Sequence, residues 1–92
     1  MKYSLGEKID NFFVETLEGA CAAAFAQKDE KLLYVQRAIQ KLDMGKIFLQ
    51  IAWEIKSLDT AKYATLSEKL DSAGKQLGGW YGQLIKQNSP AK

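Results

Sequence analysis

The fold is decided by residues 30–58, which read EKLLYVQRAIQKLDMGKIFLQIAWEIKSL. At about 100° of rotation per residue, one side of a helix over this stretch collects a first apolar stripe, formed by Leu32, Val35, Ala38, Ile39, Leu42, Leu49 and Trp53. The opposite side collects a second stripe, mostly in the C-terminal half, formed by Met44, Ile47, Phe48, Ile51, Ile55 and Leu58. We therefore predict a helix from Glu30 to Ser57 that must be covered on both sides.

A first amphipathic helix is predicted before this stretch. Ser4-Leu5-Gly6-Glu7 fits a capping box, in which the serine oxygen and the glutamate satisfy free amides at the helix start. Apolar residues at helical spacing then continue to about Ala26. The polar residues 27–30 form the turn, with Asp29 as the expected N-cap of the middle helix.

A third helix is predicted from Ala61 to Lys86, with Asp59 or Thr60 as its N-cap. Its apolar stripe consists of Tyr63, Leu66, Leu70, Ala73, Leu77, Trp80, Tyr81 and Leu84. Short turns force the three helices to run up, down and up. The expected fold is thus an all-α antiparallel helical bundle, with one domain over residues 1–87 and a disordered tail over residues 88–92.

Composition restricts the classes of function open to this chain of 92 residues. Histidine is absent, and histidine is the commonest general base and metal ligand. The single cysteine, Cys21, excludes an internal disulfide and a cysteine cage for a metal, and we expect it to be a small core residue. Asp43 stands among apolar residues, where we expect it to be partly buried and paired with Lys46 or with a basic group of another helix, rather than catalytic. These features predict a protein that is not an enzyme, with no catalytic residue, metal, cofactor or small-molecule substrate.

Charge and hydropathy say less about partners. The net charge is +2, from 13 Lys and Arg against 11 Asp and Glu, which is too weakly basic to indicate nucleic-acid binding by itself. No uncharged apolar run reaches the ~18 residues that a membrane span needs, and the first residues lack the apolar centre of a signal peptide. We therefore expect a cytoplasmic protein without a membrane partner.

The second apolar stripe of the middle helix predicts self-association. Met44, Ile47, Phe48, Ile51 and Ile55 would otherwise form a larger apolar patch than monomers usually expose. Copies of the chain around a ring or a two-fold axis would cover this stripe. The alternative is a monomer in which the first helix covers it.

Two further groups of residues are candidates for binding or packing. Arg37 and Lys41 share one helix face, with Lys28 and Lys31 one or two turns away, and repetition in an oligomer would turn them into a phosphate-binding surface. The alternative is that they are ordinary solvated side chains. In the third helix, Gly74, Gly78 and Gly79 predict close packing of another backbone or a large ring, or else a frayed helix end. Trp53 and Trp80 are expected to anchor the core or an interface.

Five segments carry a resemblance to a known family: Tyr3-Ser4-Leu5-Gly6-Glu7-Lys8-Ile9, Lys31-Leu32-Leu33, Lys41-Leu42-Asp43, Trp53-Glu54-Ile55-Lys56 and Gly74-Lys75-Gln76-Leu77-Gly78-Gly79-Trp80. The last segment is the most specific of them. Over about residues 3–86 the chain resembles the four-helix-bundle family of Avd (accessory variability determinant) proteins of diversity-generating retroelements. Related members of that family are encoded in intervening sequences of bacterial large-subunit ribosomal RNA genes.

The resemblance implies a homopentameric barrel with a basic surface. It implies a non-catalytic accessory role, in which the oligomer binds a reverse transcriptase and its template RNA or DNA during mutagenic copying. The residues that would contact phosphates are Lys28, Lys31, Arg37, Lys41 and Lys46, and Gly78, Gly79 and Trp80 would be structural. The alternative is an oligomer of the intervening-sequence type, a protein-interaction module without nucleic-acid binding.

Two departures from the family pattern shape these expectations. No counterpart of the family's first helix precedes Tyr3, so we expect three helices and a larger exposed apolar area, and a partner chain could supply the fourth helix. Gln40 and Gln50 stand where additional positive charge is expected, which weakens the nucleic-acid interpretation in particular.

Overall fold

The computed structural model describes residues 5–88, and all of the regular structure in this range is helical. Helix α1 spans Leu5–Phe25, α2 spans Lys28–Glu54 and α3 spans Thr60–Asn88. The predicted all-α class and the three long helices are confirmed. Ser4 of the predicted capping box lies outside the described residues, as do residues 89–92 of the predicted tail.

Helix α2 begins and ends earlier than predicted. Its N-cap is Gln27, which makes no side-chain capping hydrogen bond, so the prediction that Asp29 is the cap was wrong. Asp29 lies instead in the first turn, where its charge complements the helix dipole. The helix ends at Glu54, not Ser57, because Lys56 takes the left-handed conformation with φ of 62° and reverses the chain.

Helix α3 begins where the sequence predicts. The carboxylate of Asp59 accepts a hydrogen bond of 2.7 Å from the backbone N–H of Lys62, which satisfies one of the free amides of the first turn. Asp59 is therefore the N-cap, as expected. At its other end α3 continues to Asn88, two residues beyond the predicted end at Lys86.

The three helices form a thin layer with α2 in the middle. Helices α1 and α3 each pack along α2, and they meet one another only marginally. The Cα atoms of the chain extend over 52 × 25 × 15 Å. Short connections between long helices give the up-down-up order that the sequence predicts.

The core lies on the inner side of α2, which faces both neighbours. Helix α1 contributes one buried residue to this core, α2 contributes three and α3 contributes two. They are Ile9, Ala38, Leu42, Leu49, Leu70 and Leu77. A second, smaller cluster of Ala23, Val35 and Leu84 closes the other end of the layer. The first apolar stripe predicted for the middle helix is thus the core side of α2, with the exception of Trp53, which is 38% exposed.

Helices α1 and α2 approach each other closely at two glycines, Gly19 and Gly45. A Cβ atom at Gly19 would lie 3.1 Å from Cβ of Ala38, and one at Gly45 would lie 3.0 Å from Cβ of Phe12. Helix α1 can therefore lie tightly against α2 because each helix lacks a side chain where the other presents one.

The glycines of α3 behave differently from the prediction. A Cβ atom at Gly78 or Gly79 would meet nothing within 4 Å, because both residues are exposed. At Gly74 the nearest group is the flexible end of Lys46, with Nζ at 3.0 Å. Within the chain, the predicted packing of a backbone or a large ring was therefore wrong for Gly78 and Gly79, whereas Gly74 is packed by side chains of α2. Trp80 is half-buried between the two core clusters, as expected for an anchor.

Cys21 is exposed, so its prediction as a core residue was also wrong. Helix α1 fully buries only Ile9, Thr16 and Ala23, which follow one another every seven residues and form a narrow stripe toward α2. Cys21 lies off this stripe. A single packed neighbour leaves most of the helix surface open.

Candidate interaction surface

The outer face of α2, opposite the core, is an apolar surface that the layer leaves uncovered. We define this outer face by Met44, Ile47, Ile51 and Ile55, whose exposed fractions are 52%, 60%, 52% and 65%. Helices α1 and α3 both pack on the other side of α2 and leave these side chains in solvent. The monomeric alternative, in which the first helix covers this face, is not what the structure shows.

Phe48 does not belong to the outer face, although the sequence groups it there. Its ring lies 5.6 Å from the ring of Phe12, measured between centroids, and it packs at the edge of the core. The position of Phe48 on the helix is close enough to α1 for a large ring to reach it. Leu58, the last residue of the predicted second stripe, is likewise partly buried against the core because the chain turns back after α2.

A second apolar surface lies between α1 and α3, on the inner side of the layer. Because these two helices are separated by α2, a groove of about 320 Å³ runs between them. Its walls include Leu17, Ala20, Ala73, Leu77 and Trp80. The layer therefore presents apolar groups on both of its faces.

The basic residues predicted to contact phosphates fall into two groups, and three of the five bind oxygens of their own chain. Lys41 Nζ lies 3.1 Å from a carboxylate oxygen of Glu15, and Lys46 Nζ lies 3.6 Å from one of Asp71. Lys31 donates hydrogen bonds to two backbone carbonyls at the end of α1, at 2.8 and 3.1 Å. These contacts hold α1 and α3 to α2.

The other two, Lys28 and Arg37, are exposed. The guanidinium of Arg37 lies 5.9 Å from the centroid of the Tyr34 ring on the same helix. The five residues do not form one continuous strip, because Lys41 faces α1 whereas Lys46 faces α3.

Asp43 is exposed, so the prediction that it is partly buried was wrong. Lys46, one of its predicted partners, pairs instead with Asp71 of α3. Glu15 and Asp71 could not be identified from the sequence as partners of the lysines, because both lie on other helices and spacing along one helix carries no signal for such a contact.

An aromatic pair joins the end of α2 to the start of α3 across the turn between them. The rings of Trp53 and Tyr63 are nearly parallel, at 11°, with centroids 4.7 Å apart. The indole N–H of Trp53 also donates to Oγ1 of Thr60 at 3.3 Å. Trp53 thus anchors the end of α2 to the start of α3, at the edge of the core rather than inside it.

Residues 5–88 were compared with the requirements of two other kinds of site, a metal centre and a membrane-spanning helix, and they meet neither. No group of three or more Asp, Glu or Cys side chains in this range is placed to hold a metal ion. No helix in the same range has the length and apolar character required to cross a bilayer.

Comparison with known proteins does not assign the chain to a family. The chain matches no protein-family model, no curated protein and no solved structure. The resemblance to Avd proteins therefore stays a prediction that rests on the five quoted segments.

Proposed function

We propose that this protein is a non-catalytic scaffold that self-associates through the outer face of α2 and serves as an accessory to a reverse transcriptase of a diversity-generating retroelement. The observation that carries the self-association is the exposure of Met44, Ile47, Ile51 and Ile55 in one continuous row. Leaving such a row in water costs about 25 cal/mol for each Å² of apolar surface. Covering it with a second copy recovers that free energy.

The reverse transcriptase and the template RNA or DNA enter the proposal through the resemblance. The resemblance also implies five copies, and the self-association proposed here does not depend on that number. In this proposal the groove between α1 and α3 receives a fourth helix from a partner chain, which would complete a four-helix bundle. Of the predicted phosphate-binding set, Lys28 is exposed at the start of α2 and lies far along the helix from the outer face, so its charge is available for phosphate. Repetition in an oligomer multiplies its weak individual attraction.

The self-association is tested by Ile47→Lys. Because Ile47 is 60% exposed in the single chain, the substitution leaves the helical fold intact and places a charge in the proposed contact. We expect wild type to sediment as an oligomer at ~50 µM and Ile47→Lys to sediment as a monomer of unchanged helicity.

Val14→Lys is the matched control, since Val14 is a half-exposed apolar residue on α1 and away from the outer face. It is expected to keep the mass of wild type. A monomeric wild type, or an Ile47→Lys variant with the wild-type mass, would remove the basis of the scaffold proposal.

Nucleic-acid binding is tested separately with a labelled single-stranded RNA by fluorescence anisotropy. We expect wild type to bind with a Kd that rises as salt is added, because phosphate contacts release counterions. Replacing Lys28 by Gln should weaken binding by about threefold, whereas replacing Lys62 by Gln, with the same change in net charge, should have a much smaller effect.

An alternative function is an oligomeric protein-interaction module without nucleic-acid binding. The observation that favours it is that Lys31, Lys41 and Lys46 already bind oxygens of their own chain. Absence of RNA binding at low salt by an intact oligomer would select this alternative. A reverse-transcriptase gene with a pair of repeated template regions next to the gene for this chain would select the first proposal.

A further inference from the structure

Three residues of the outer face of α2, Met44, Ile47 and Ile51, belong to a longer row with the spacing of a coiled-coil contact. Steps of three and four residues lead from Arg37 to Gln40, Met44, Ile47, Ile51 and Glu54. This is the alternation of a and d positions that lets two helices pack knobs into holes. All six residues are exposed, so the complete row is accessible from solvent.

The row has a polarity of charge that makes it complementary to itself. Between the cation Arg37 and the anion Glu54 the four residues of this row are apolar except for Gln40. The same spacing continues before Arg37 to the exposed Leu33, which in the register given below lies beyond the end of the partner's α2. In an antiparallel coiled coil each a residue lies opposite a d residue of the other helix. A second α2 laid antiparallel on the first then places Met44 opposite Ile47 and Ile51 opposite Gln40.

In the same register Arg37 lies opposite Glu54. Every one of these pairs occurs twice, because a two-fold axis relates the copies. Both charged groups are available for such a contact. Arg37 lies over the ring of Tyr34 and Glu54 accepts a hydrogen bond from Gln50 at 3.0 Å, and in residues 5–88 neither of the two forms an ion pair with its own chain.

Other arrangements of the two helices are worse. A parallel pair places each residue against its own copy, so that Arg37 meets Arg37 and Glu54 meets Glu54, and like charges repel. An antiparallel pair shifted by one heptad places Arg37 against Ile47, or Glu54 against Met44, and desolvates a charge without a partner.

We propose that two copies of this chain pair through the outer rows of α2, antiparallel and related by a two-fold axis, with Arg37 of each copy opposite Glu54 of the other. The proposal rests on the self-association proposed above and adds the partner's orientation and register. It requires an even number of copies, because a two-fold contact closes on itself and would leave one row uncovered in any assembly of five.

Charge reversal tests the register. Arg37→Glu alone creates two Glu–Glu contacts and Glu54→Arg alone creates two Arg–Arg contacts, so we expect each to raise the dissociation constant of the pair by about tenfold or more. The doubly reversed chain, with Arg37→Glu and Glu54→Arg together, restores both attractive pairs and is expected to associate like wild type. Lys86→Glu, an equal change in charge on α3, is the control and should leave association unchanged.

Cross-linking tests the orientation on a Cys21→Ser background, which removes the native thiol. Arg37→Cys and Glu54→Cys are made in separate chains, one of them carrying a size tag. In the antiparallel register the two Arg37 positions are about 25 Å apart, so mixing the chains under mild oxidation should yield the mixed disulfide and almost no homodimers. A parallel pair would instead yield both homodimeric disulfides.

The outcomes separate the two proposals. An oligomer that ignores the charge reversals, or that cross-links as homodimers, or that contains five copies, overturns the antiparallel pairing and leaves the scaffold proposal standing. A wild-type chain that stays monomeric overturns both.

Discussion

At the scale of single residues, Gly19 and Gly45 determine how closely α1 approaches α2. A Cβ atom at either position would lie 3.1 or 3.0 Å from a Cβ atom of the facing helix, which is tighter than ordinary packing. The atoms that would be met, on Ala38 and Phe12, are attached directly to backbone and have no freedom to move aside. The absence of two side chains is therefore a structural requirement of this interface.

We expect Gly45→Leu to lower the free energy of unfolding by about 1–3 kcal/mol, because the added side chain forces α1 away from the core. Gly79→Ala is the comparison. It fills open space on a helix surface, and the better helix propensity of alanine should raise stability by up to ~1 kcal/mol. Urea unfolding, followed by circular dichroism at one fixed protein concentration, measures both. A Gly45→Leu chain as stable as wild type would show that the interface is not tight.

At the scale of helices, the beginnings of α2 and α3 are stabilised differently. Helix α3 has a side-chain cap, the 2.7 Å hydrogen bond from the N–H of Lys62 to Asp59, whereas Gln27 at the start of α2 makes no such bond. The end of α1 is held by Lys31, which bonds two of its terminal carbonyls. In the turn between α1 and α2, the lysine side chain therefore stabilises the end of α1, whereas no side-chain cap stabilises the start of α2.

Asp59→Ala should therefore cost about 1 kcal/mol of unfolding free energy through loss of the cap. Gln27→Ala, at the equivalent position of α2, should change stability by less than ~0.5 kcal/mol. Thermal unfolding of both variants beside wild type compares them directly. Equal losses would contradict the assignment of Asp59 as the cap of α3.

The elements could be predicted from the sequence because their signals are local. The helical spacing of apolar residues and the polar turns predict three helices, and each predicted end lies within three residues of the end in the structure. Asp59, one of the two N-caps that the sequence suggests for α3, caps that helix in the structure. The end of α2 was predicted too far along the chain. The residue that ends the helix in the left-handed conformation is Lys56, whereas the sequence signal for such an end is usually a glycine.

The candidate surface was predictable only in part. The exposure of Met44, Ile47, Ile51 and Ile55 follows from their position opposite the first apolar stripe. Phe48 and the basic residues could not be placed in this way, because their contacts are with other helices. Lys41, for example, is occupied by Glu15, 26 positions earlier in the chain, and periodicity within one helix does not reach that far.

At the scale of the whole molecule, the chain is elongated. Its Cα radius of gyration is 15.2 Å, whereas a compact domain of this length has one of about 12 Å. The difference follows from three long helices laid side by side in one layer, with no second layer to make the shape rounder.

Small-angle scattering should detect this shape in solution. The Ile47→Lys chain, in which association is expected to be suppressed, should have a radius of gyration near that of the layer and well above ~12 Å. Wild type should give a larger value that grows with concentration. A value near that of a compact sphere for the Ile47→Lys chain would mean that the helices fold over one another and that the groove between α1 and α3 is closed.

Helix α2 contributes one side to the interior and presents the other as an apolar row. Most positions between Leu42 and Ala52 therefore lie in the core or on the outer face. We expect this segment to tolerate few amino-acid substitutions. After random mutagenesis of the gene and selection for the associated form, the surviving sequences should carry few substitutions in this segment and many on the outer sides of α1 and α3. A lower tolerance of α2 than of α1 and α3 would identify α2 as the helix whose two sides both make contacts, one with the core and the other with a second copy.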